Sequence, residues 1–210
     1  MEKTENIIAD KLLQINAIKL NPANPYTWAS GWKSPIYCDN RKILSFPEVR
    51  DIVKNEFVKL LNLVYEKPDI IAGVATGAIA HGALVADLLN LPFIYVRSSS
   101  KGHGLENLIE GNLETGQKVV VIEDLISTGG SSIKAVEAIR EKGGIVVGML
   151  AIFTYGFSHA QKNFENAGCP LYTLSNYNIL IETAIKSGYI DKKYLEMLAE
   201  WRKNPENWMK

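Results

Sequence analysis

An α/β fold, built on a mainly parallel sheet with helices on both faces, is what this sequence predicts. Three observations carry it. Four short runs, Ile70–Val74, Phe93–Val96, Val119–Ile122 and Ile145–Phe153, are continuously apolar, as strands covered on both faces must be. Between them, Ala78–Leu89 and Ser131–Lys142 carry apolar residues at helical spacing, the alternation of a βαβ chain. The 210 residues, 47% of them hydrophobic, suffice for one sizeable core, so residues 1–210 read as a single domain.

The elements follow in order. From Thr4 to Leu20 the apolar residues Ile8, Leu12, Leu13 and Ile15 recur at helical spacing, and Asn21-Pro22 and Asn24-Pro25 then break the pattern. Tyr26 to Asp39 reads as turns around a short strand at Ile36–Cys38. Pro47 opens a helix whose stripe of Val49, Ile52, Val53, Phe57, Leu60, Leu61 and Val64 faces a core. After the alternating centre, Asn178 to Trp208 reads as two amphipathic helices, with Trp201 and Trp208 placed to pack. Residues 98–116 fit neither element. They hold three consecutive serines, four glycines, a lysine and a histidine, which predicts a mobile loop over a site.

Charge narrows the function. Lys and Arg total 23, Asp and Glu total 23, so no global field draws a nucleic-acid backbone or an anionic membrane. The longest strongly apolar stretch, Ile145–Phe153, falls well short of the ~20 residues that span a bilayer. The acidic, polar start and two distant cysteines, Cys38 and Cys169, outside any CxxC pair, predict a cytoplasmic protein without a zinc framework. A small-molecule ligand is the expectation.

In parallel sheets ligands bind beyond the carboxyl ends of strands. There the informative run is Val119-Val120-Val121-Ile122-Glu123-Asp124-Leu125-Ile126-Ser127-Thr128-Gly129-Gly130-Ser131. A buried strand ends in two acids, and a loop of small residues leads into a helix. Glycines let the backbone approach an anion, and the free N–H groups and dipole of the helix start favour its charge. Two carboxylates beside that cradle would repel a bare polyphosphate but accept bonds from sugar hydroxyls, at roughly 1.5–3 kcal/mol for each charge-assisted bond. The ligand implied is a ribose phosphate. Two other phosphate motifs fail on spelling. Ser131 stands where a P-loop requires Lys, and Gly102-His103-Gly104 continues into Leu105-Glu106-Asn107 without the third glycine of a dinucleotide fingerprint.

The run from Val119 to Ser131 resembles the signature of type I phosphoribosyltransferases, which use 5-phosphoribosyl 1-pyrophosphate. Three further stretches, Ser30–Arg41, Tyr95-Val96-Arg97, and Lys101-Gly102-His103-Gly104 with Ile109-Glu110-Gly111, resemble the orotate phosphoribosyltransferase family within it. The resemblance implies the fold of that family, with residues 1–45 forming a small hood over the active site and contributing to the base pocket. It implies that Glu123 and Asp124 hold the ribose hydroxyls. The loop of Leu125, Ile126, Ser127, Thr128, Gly129, Gly130 and Ser131 would hold the 5-phosphate. Arg97, Lys101 and His103 would bind pyrophosphate, and Ser127, Lys33, Tyr37 and Cys38 would meet orotate. Lys101, His103 and Asp124 are the implied catalytic residues. The reaction implied is displacement of pyrophosphate at ribose C1 by N1 of orotate, giving orotidine 5-monophosphate for UMP synthesis. Mg²⁺ would be held mainly by substrate, in a homodimer whose loops cross between subunits.

The chain departs from that pattern. Ala29, Ser98 and Gly77 stand where relatives often carry Lys or another basic residue, and Thr154 and Tyr155 stand where some carry an Arg that meets orotate. Arg41, Lys33, Arg97 or Mg²⁺ would have to supply the missing charge. His81 and His159 read as structural. Two rival functions are a phosphoribosyltransferase for another nucleobase, and a nucleic-acid-binding regulator that senses the phosphoribosyl ligand. The Ser30–Arg41 stretch favours orotate over the first. Zero net charge and a single short helix before the domain disfavour the second.

Overall fold

A computed structural model describes residues 3–28, 30–98 and 108–209. Its centre is a six-stranded sheet in the order β10-β9-β8-β5-β6-β7, where β5 is Ile70–Val74, β6 Phe93–Val96, β7 Ile109–Glu110, β8 Lys118–Ile126, β9 Ile145–Thr154 and β10 Leu171–Asn176. All neighbours run parallel except the edge pair β6–β7. Burial explains the composition of the middle: all of β5 is buried, as are Val119 to Glu123 of β8 and Gly148 to Phe153 of β9.

The chain leaves β5 for β6 on one side and returns to β8 on the other, so the direction of winding switches between β5 and β8. A crevice opens beyond the carboxyl ends at such a switch, which puts the ligand site between residues after Val74 and residues after Ile122. α3 (Ile79–Leu89) and α4 (Gly130–Glu141) are the crossover helices behind it. α2 (Pro47–Val64) begins with the proline that suits a first turn, and buries Val49, Val53, Phe57 and Leu61. α5 (Ser158–Asn166) joins β9 to β10, and α6 (Tyr177–Lys186) and α7 (Leu195–Lys203) complete the chain.

The N-terminal strands pair among themselves, outside the six-stranded sheet. α1 (Thr4–Gln14) is followed by β1 (Ile18–Leu20), which pairs antiparallel with β4 (Ile36–Cys38). The hairpin β2 (Tyr26–Thr27) and β3 (Lys33–Ser34) projects beside them, and a 3₁₀ helix at Asn40–Ser45 leads to α2. Trp201 of α7 packs against this N-terminal segment. It is fully buried, its Nε1 donates to the Lys33 carbonyl at 3.2 Å, and it packs edge-on against Trp28.

Two sequence expectations need correction. The first helix does not reach Leu20: Asn16 turns to φ +54° after Gln14, and Ile18–Leu20 gains backbone partners in β4 that another helical turn could not offer. The 98–116 stretch is not loop throughout. Ile109 and Glu110 pair with Val96 and Tyr95 at the sheet edge, and residues 99–107 lie outside the described residues. Two elements left unassigned by the sequence reading, β7 and β10, are both edge strands. Among the described residues no helix is long and apolar enough to cross a membrane.

Candidate active site

Asp124 occupies the switch point. It sits near the end of β8, half-buried, with the segment after β5 pressed against it: a Cβ placed on Gly77 would overlap the Asp124 carboxylate. Only glycine allows this approach, which is the physical reason for Gly77 where a longer side chain would displace the acid. The peptide between Ala75 and Thr76 in the same segment is cis.

The neighbouring acid points elsewhere. Glu123 is only 4% exposed, and its carboxyl accepts from Ser132 Oγ at 2.9 Å and from the Asp124 backbone N–H at 3.0 Å. Burial, and then the Asp124 charge beside it, push its pKa well above the ordinary carboxylate range. The two adjacent acids therefore stand in different environments: Asp124 at the crevice, Glu123 bonded inward to the first turn of α4.

Ser127 and Thr128 lead to Gly129, whose φ of +81° and close neighbour Phe164, 3.0 Å from an added Cβ, both demand glycine. Asn163 Nδ2 braces the turn by donating to the Thr128 carbonyl at 3.1 Å. Gly129 caps α4 without any side-chain bond, and the first amide seen to bond back is Ile133, to the Gly129 carbonyl at 2.9 Å. Among the described residues the N–H groups of Gly130, Ser131 and Ser132 thus open the helix with no backbone partner, and they carry the positive end of its dipole. This is an anion cradle.

Beside it lies a cavity of about 280 Å³ lined by Thr27, Trp28, Tyr37, Cys38, Leu125, Ser127 and Tyr155. None of these side chains is an acid or a strong base. Lys33 stands at its margin, where Nζ donates to Thr27 Oγ1 at 2.8 Å. Burial, then the charges of Asp124 and Asp39, raise the Cys38 pKa well above normal, so the thiol keeps its proton and donates to Asn40 Oδ1 at 3.4 Å. Leu125 and Ser127 belong both to the cradle segment and to this cavity, so one stretch of chain serves both.

The structure thus brings together Glu123, Asp124, Leu125, Ile126, Ser127, Thr128, Gly129, Gly130 and Ser131 with Tyr37 and Cys38, and leaves Lys33 at the edge. Arg97 lies farther along the sheet: its Nη1 meets Glu110 Oε1 at 3.4 Å, and its backbone N–H bonds to the Leu108 carbonyl. Arg41, another candidate for the missing charge, is paired with Asp39 at 2.7 Å. Lys101, His103 and Ala29 lie outside the described residues.

Three residues escaped the sequence reading as parts of a site. Asn40, 1% exposed, donates through Nδ2 to the Asp124 carbonyl at 2.6 Å. Ser132 holds Glu123. Tyr155, just after β9, lines the cavity at the position the sequence marked only as lacking an Arg. A strand-end position was the available signal for Tyr155; Asn40 and Ser132 carried none, because their partners are distant in sequence. His81 is buried as a structural residue would be, and burial lowers its pKa.

A family model described as phosphoribosyl transferase domain matches residues 40–183. The orotate phosphoribosyltransferase of Bacteroides thetaiotaomicron is 60% identical over 208 residues, covering 99% of this chain and 98% of that protein. The chain belongs to the orotate phosphoribosyltransferase family. Among solved structures, orotate phosphoribosyltransferase from Aeropyrum pernix matches with a TM-score of 0.76 at 26% identity, covering 87% of this chain and 99% of that one. An adenine phosphoribosyltransferase from Thermoanaerobacter pseudethanolicus shares the fold at a TM-score of 0.63 and 20% identity, covering 80% and 99%.

Enzymes of the orotate phosphoribosyltransferase family are pentosyltransferases, and the match divides the site in two. The general phosphoribosyltransferase domain takes in Asp124, the cradle and Tyr155, whereas Thr27, Trp28, Tyr37 and Cys38 of the cavity precede it. These cavity residues lie within the stretch that the 60%-identical relative covers.

Proposed function

We propose that the protein transfers the 5-phosphoribosyl group from 5-phosphoribosyl 1-pyrophosphate to orotate, giving orotidine 5-monophosphate and pyrophosphate in pyrimidine synthesis. The observation that carries this reading is the shared segment Leu125–Ser127, which joins an anion cradle to a cavity sized for a single-ring base. A sugar lying between the two would present its hydroxyls to Asp124 and its C1 to the base.

The steps assigned to the chain's own residues are binding and positioning. The Gly130, Ser131 and Ser132 amides hold the 5-phosphate. Asp124 accepts from a ribose hydroxyl, and its negative charge favours the positive charge that develops on the ring as the C1–O bond to pyrophosphate lengthens. The aromatic and aliphatic cavity walls orient the base, so that N1 stands in line with C1 as the leaving group departs.

Among the described residues no group of three or more His, Cys, Asp or Glu side chains is arranged to hold a metal. The family resemblance implies Mg²⁺ held mainly by the substrate. When bound, it would supply positive charge to offset the negative charge of the leaving pyrophosphate. We assign Lys101 and His103, through the family resemblance, to the same leaving group. A cytoplasmic homodimer, with the 98–116 segment reaching the partner's site, completes the proposal. Sedimentation at micromolar concentration tests the dimer, for which a single 23 kDa species would be the contrary result.

The activity is read from the fall in orotate ultraviolet absorbance when phosphoribosyl pyrophosphate and Mg²⁺ are added. Turnover of orotate, and none of uracil, adenine or hypoxanthine, is expected. Turnover of another base in place of orotate would move the protein to a different specificity on the same fold.

A further inference from the structure

A wall of the base cavity is tied to a helix that carries no motif. α7 lies beyond residues 40–183, which the phosphoribosyl transferase domain takes in, yet Arg202 on it reaches the two residues that follow β9. Its Nε donates to the Tyr155 carbonyl at 3.1 Å and its Nη2 to the Gly156 carbonyl at 3.0 Å. Nη1 donates to Asn178 Oδ1 of α6 at 3.0 Å, and the guanidinium stands 5.9 Å from the centroid of the Tyr177 ring. Every nitrogen of the half-buried Arg202 side chain therefore has an acceptor.

The tie ends on residues of the cavity wall. Tyr155 and Trp28 both line the cavity and pack together at 5.2 Å between ring centroids. Trp201, the residue before Arg202, packs edge-on against each of them, at 5.8 Å and 5.7 Å. Arg202 approaches the backbone so closely that a Cβ on Gly156, where φ is +67°, would stand 2.8 Å from Nη2. A planar fork meets two successive carbonyls with little freedom lost per bond, which the single ammonium of a lysine cannot reproduce. The anion cradle has a separate brace, Asn163 Nδ2 on the Thr128 carbonyl. Loss of Arg202 would therefore loosen the base end of the site first.

We propose that Arg202 is a positioning residue for the base: by holding the Tyr155 and Gly156 carbonyls it fixes the cavity wall against which the pyrimidine lies. The proposal rests on the reading of the protein as an orotate phosphoribosyltransferase, and deepens it with a residue that touches neither substrate. A guanidinium that only fastened α7 to the rest of the chain would act on stability and leave the two substrates equally served.

Two variants test it: Arg202→Met removes every N–H of the fork at similar length, and Arg202→Lys keeps the charge. Initial rates are measured with orotate varied at saturating phosphoribosyl pyrophosphate, and the reverse, in Mg²⁺, beside the melting temperature of each variant. In Arg202→Met the orotate KM should rise about tenfold or more, in keeping with the cost of misplaced contacts, while the KM for phosphoribosyl pyrophosphate stays within about threefold. Arg202→Lys should raise the orotate KM by at least about threefold, and it decides the matter if Arg202→Met does not fold. Asn178→Ala frees Nη1 and leaves both carbonyl bonds, so both KM values should stay within about twofold. An orotate KM within about twofold of wild type in the folded Arg202 variants overturns the proposal, whatever their melting temperatures. So does an equal rise in both KM values, or an effect of Asn178→Ala as large as that of Arg202→Met. The substrate reading fails separately: if wild type turned over another base in place of orotate, that reading would fall, and the same KM contrast on that base would decide Arg202.

Discussion

Asn40 Nδ2 donates to the backbone carbonyl of Asp124 at 2.6 Å, across 84 positions of sequence. The same amide accepts from the Cys38 thiol through Oδ1. One buried residue therefore joins β4 to the end of β8, where Asp124 stands.

Replacing Asn40 by Ala should cost about 1–3 kcal/mol of stability, the penalty of a buried carbonyl left without its donor. Urea unfolding measures it, and an unchanged midpoint would show that water replaces the amide. Asn40→Asp should do no better, because a carboxylate cannot donate to a carbonyl.

Gly77→Ala drives a methyl group into the Asp124 carboxylate. Either the loop or the acid must move, and neither is far from the sugar. The expected result is a folded protein whose kcat/KM for phosphoribosyl pyrophosphate falls about tenfold or more, in keeping with the sensitivity of positioned groups to ångström shifts. Activity within twofold of wild type would mean that Asp124 is not held by this contact.

Glu123 gives stability a pH dependence of known sign. Its pKa is raised in the fold, mainly by burial, so the folded state holds this proton to higher pH than the unfolded chain does. The group therefore lowers stability progressively as pH rises from the unfolded value through the folded one. Glu123→Gln removes that slope. The melting temperature of the variant relative to wild type should increase as pH is raised from 4 to 8. Parallel curves would show that the fold leaves the Glu123 pKa at its unfolded value.

Lys101, outside the described residues, is assigned to the pyrophosphate by resemblance. Lys101→Ala should lose roughly 10²–10³ in kcat, the scale of one transition-state donor. A variant within threefold of wild type would remove Lys101 from that role.

Where burial is two-sided the sequence was easy to read. The β5 and β6 runs have the limits expected of them, Ile70–Val74 and Phe93–Val96, because strands covered by helices must be apolar throughout. β10 was missed for the complementary reason. It is an edge strand in which only Leu174 and Ser175 are buried, so Leu171–Asn176 shows neither a run nor an alternation. In the site, the cradle could be read because glycine, hydroxyl and acid types are local in sequence. Tyr155 and Asn40 act on groups far along the chain, and the inward turn of Glu123 depends on Ser132 of the following helix. No spacing records such relationships. The two-acid reading expected both carboxylates at the sugar, and the structure places them in different surroundings.

The central claim is that Asp124 and the amides opening α4 grip a phosphoribosyl group. Calorimetric titration of phosphoribosyl pyrophosphate with Mg²⁺ into the protein tests it most directly. The account predicts one saturable site per chain in the wild type, weakened at least about tenfold in Asp124→Asn, the loss of a charge-assisted bond. No heat of binding in the wild type, or equal affinity in the variant, would contradict it.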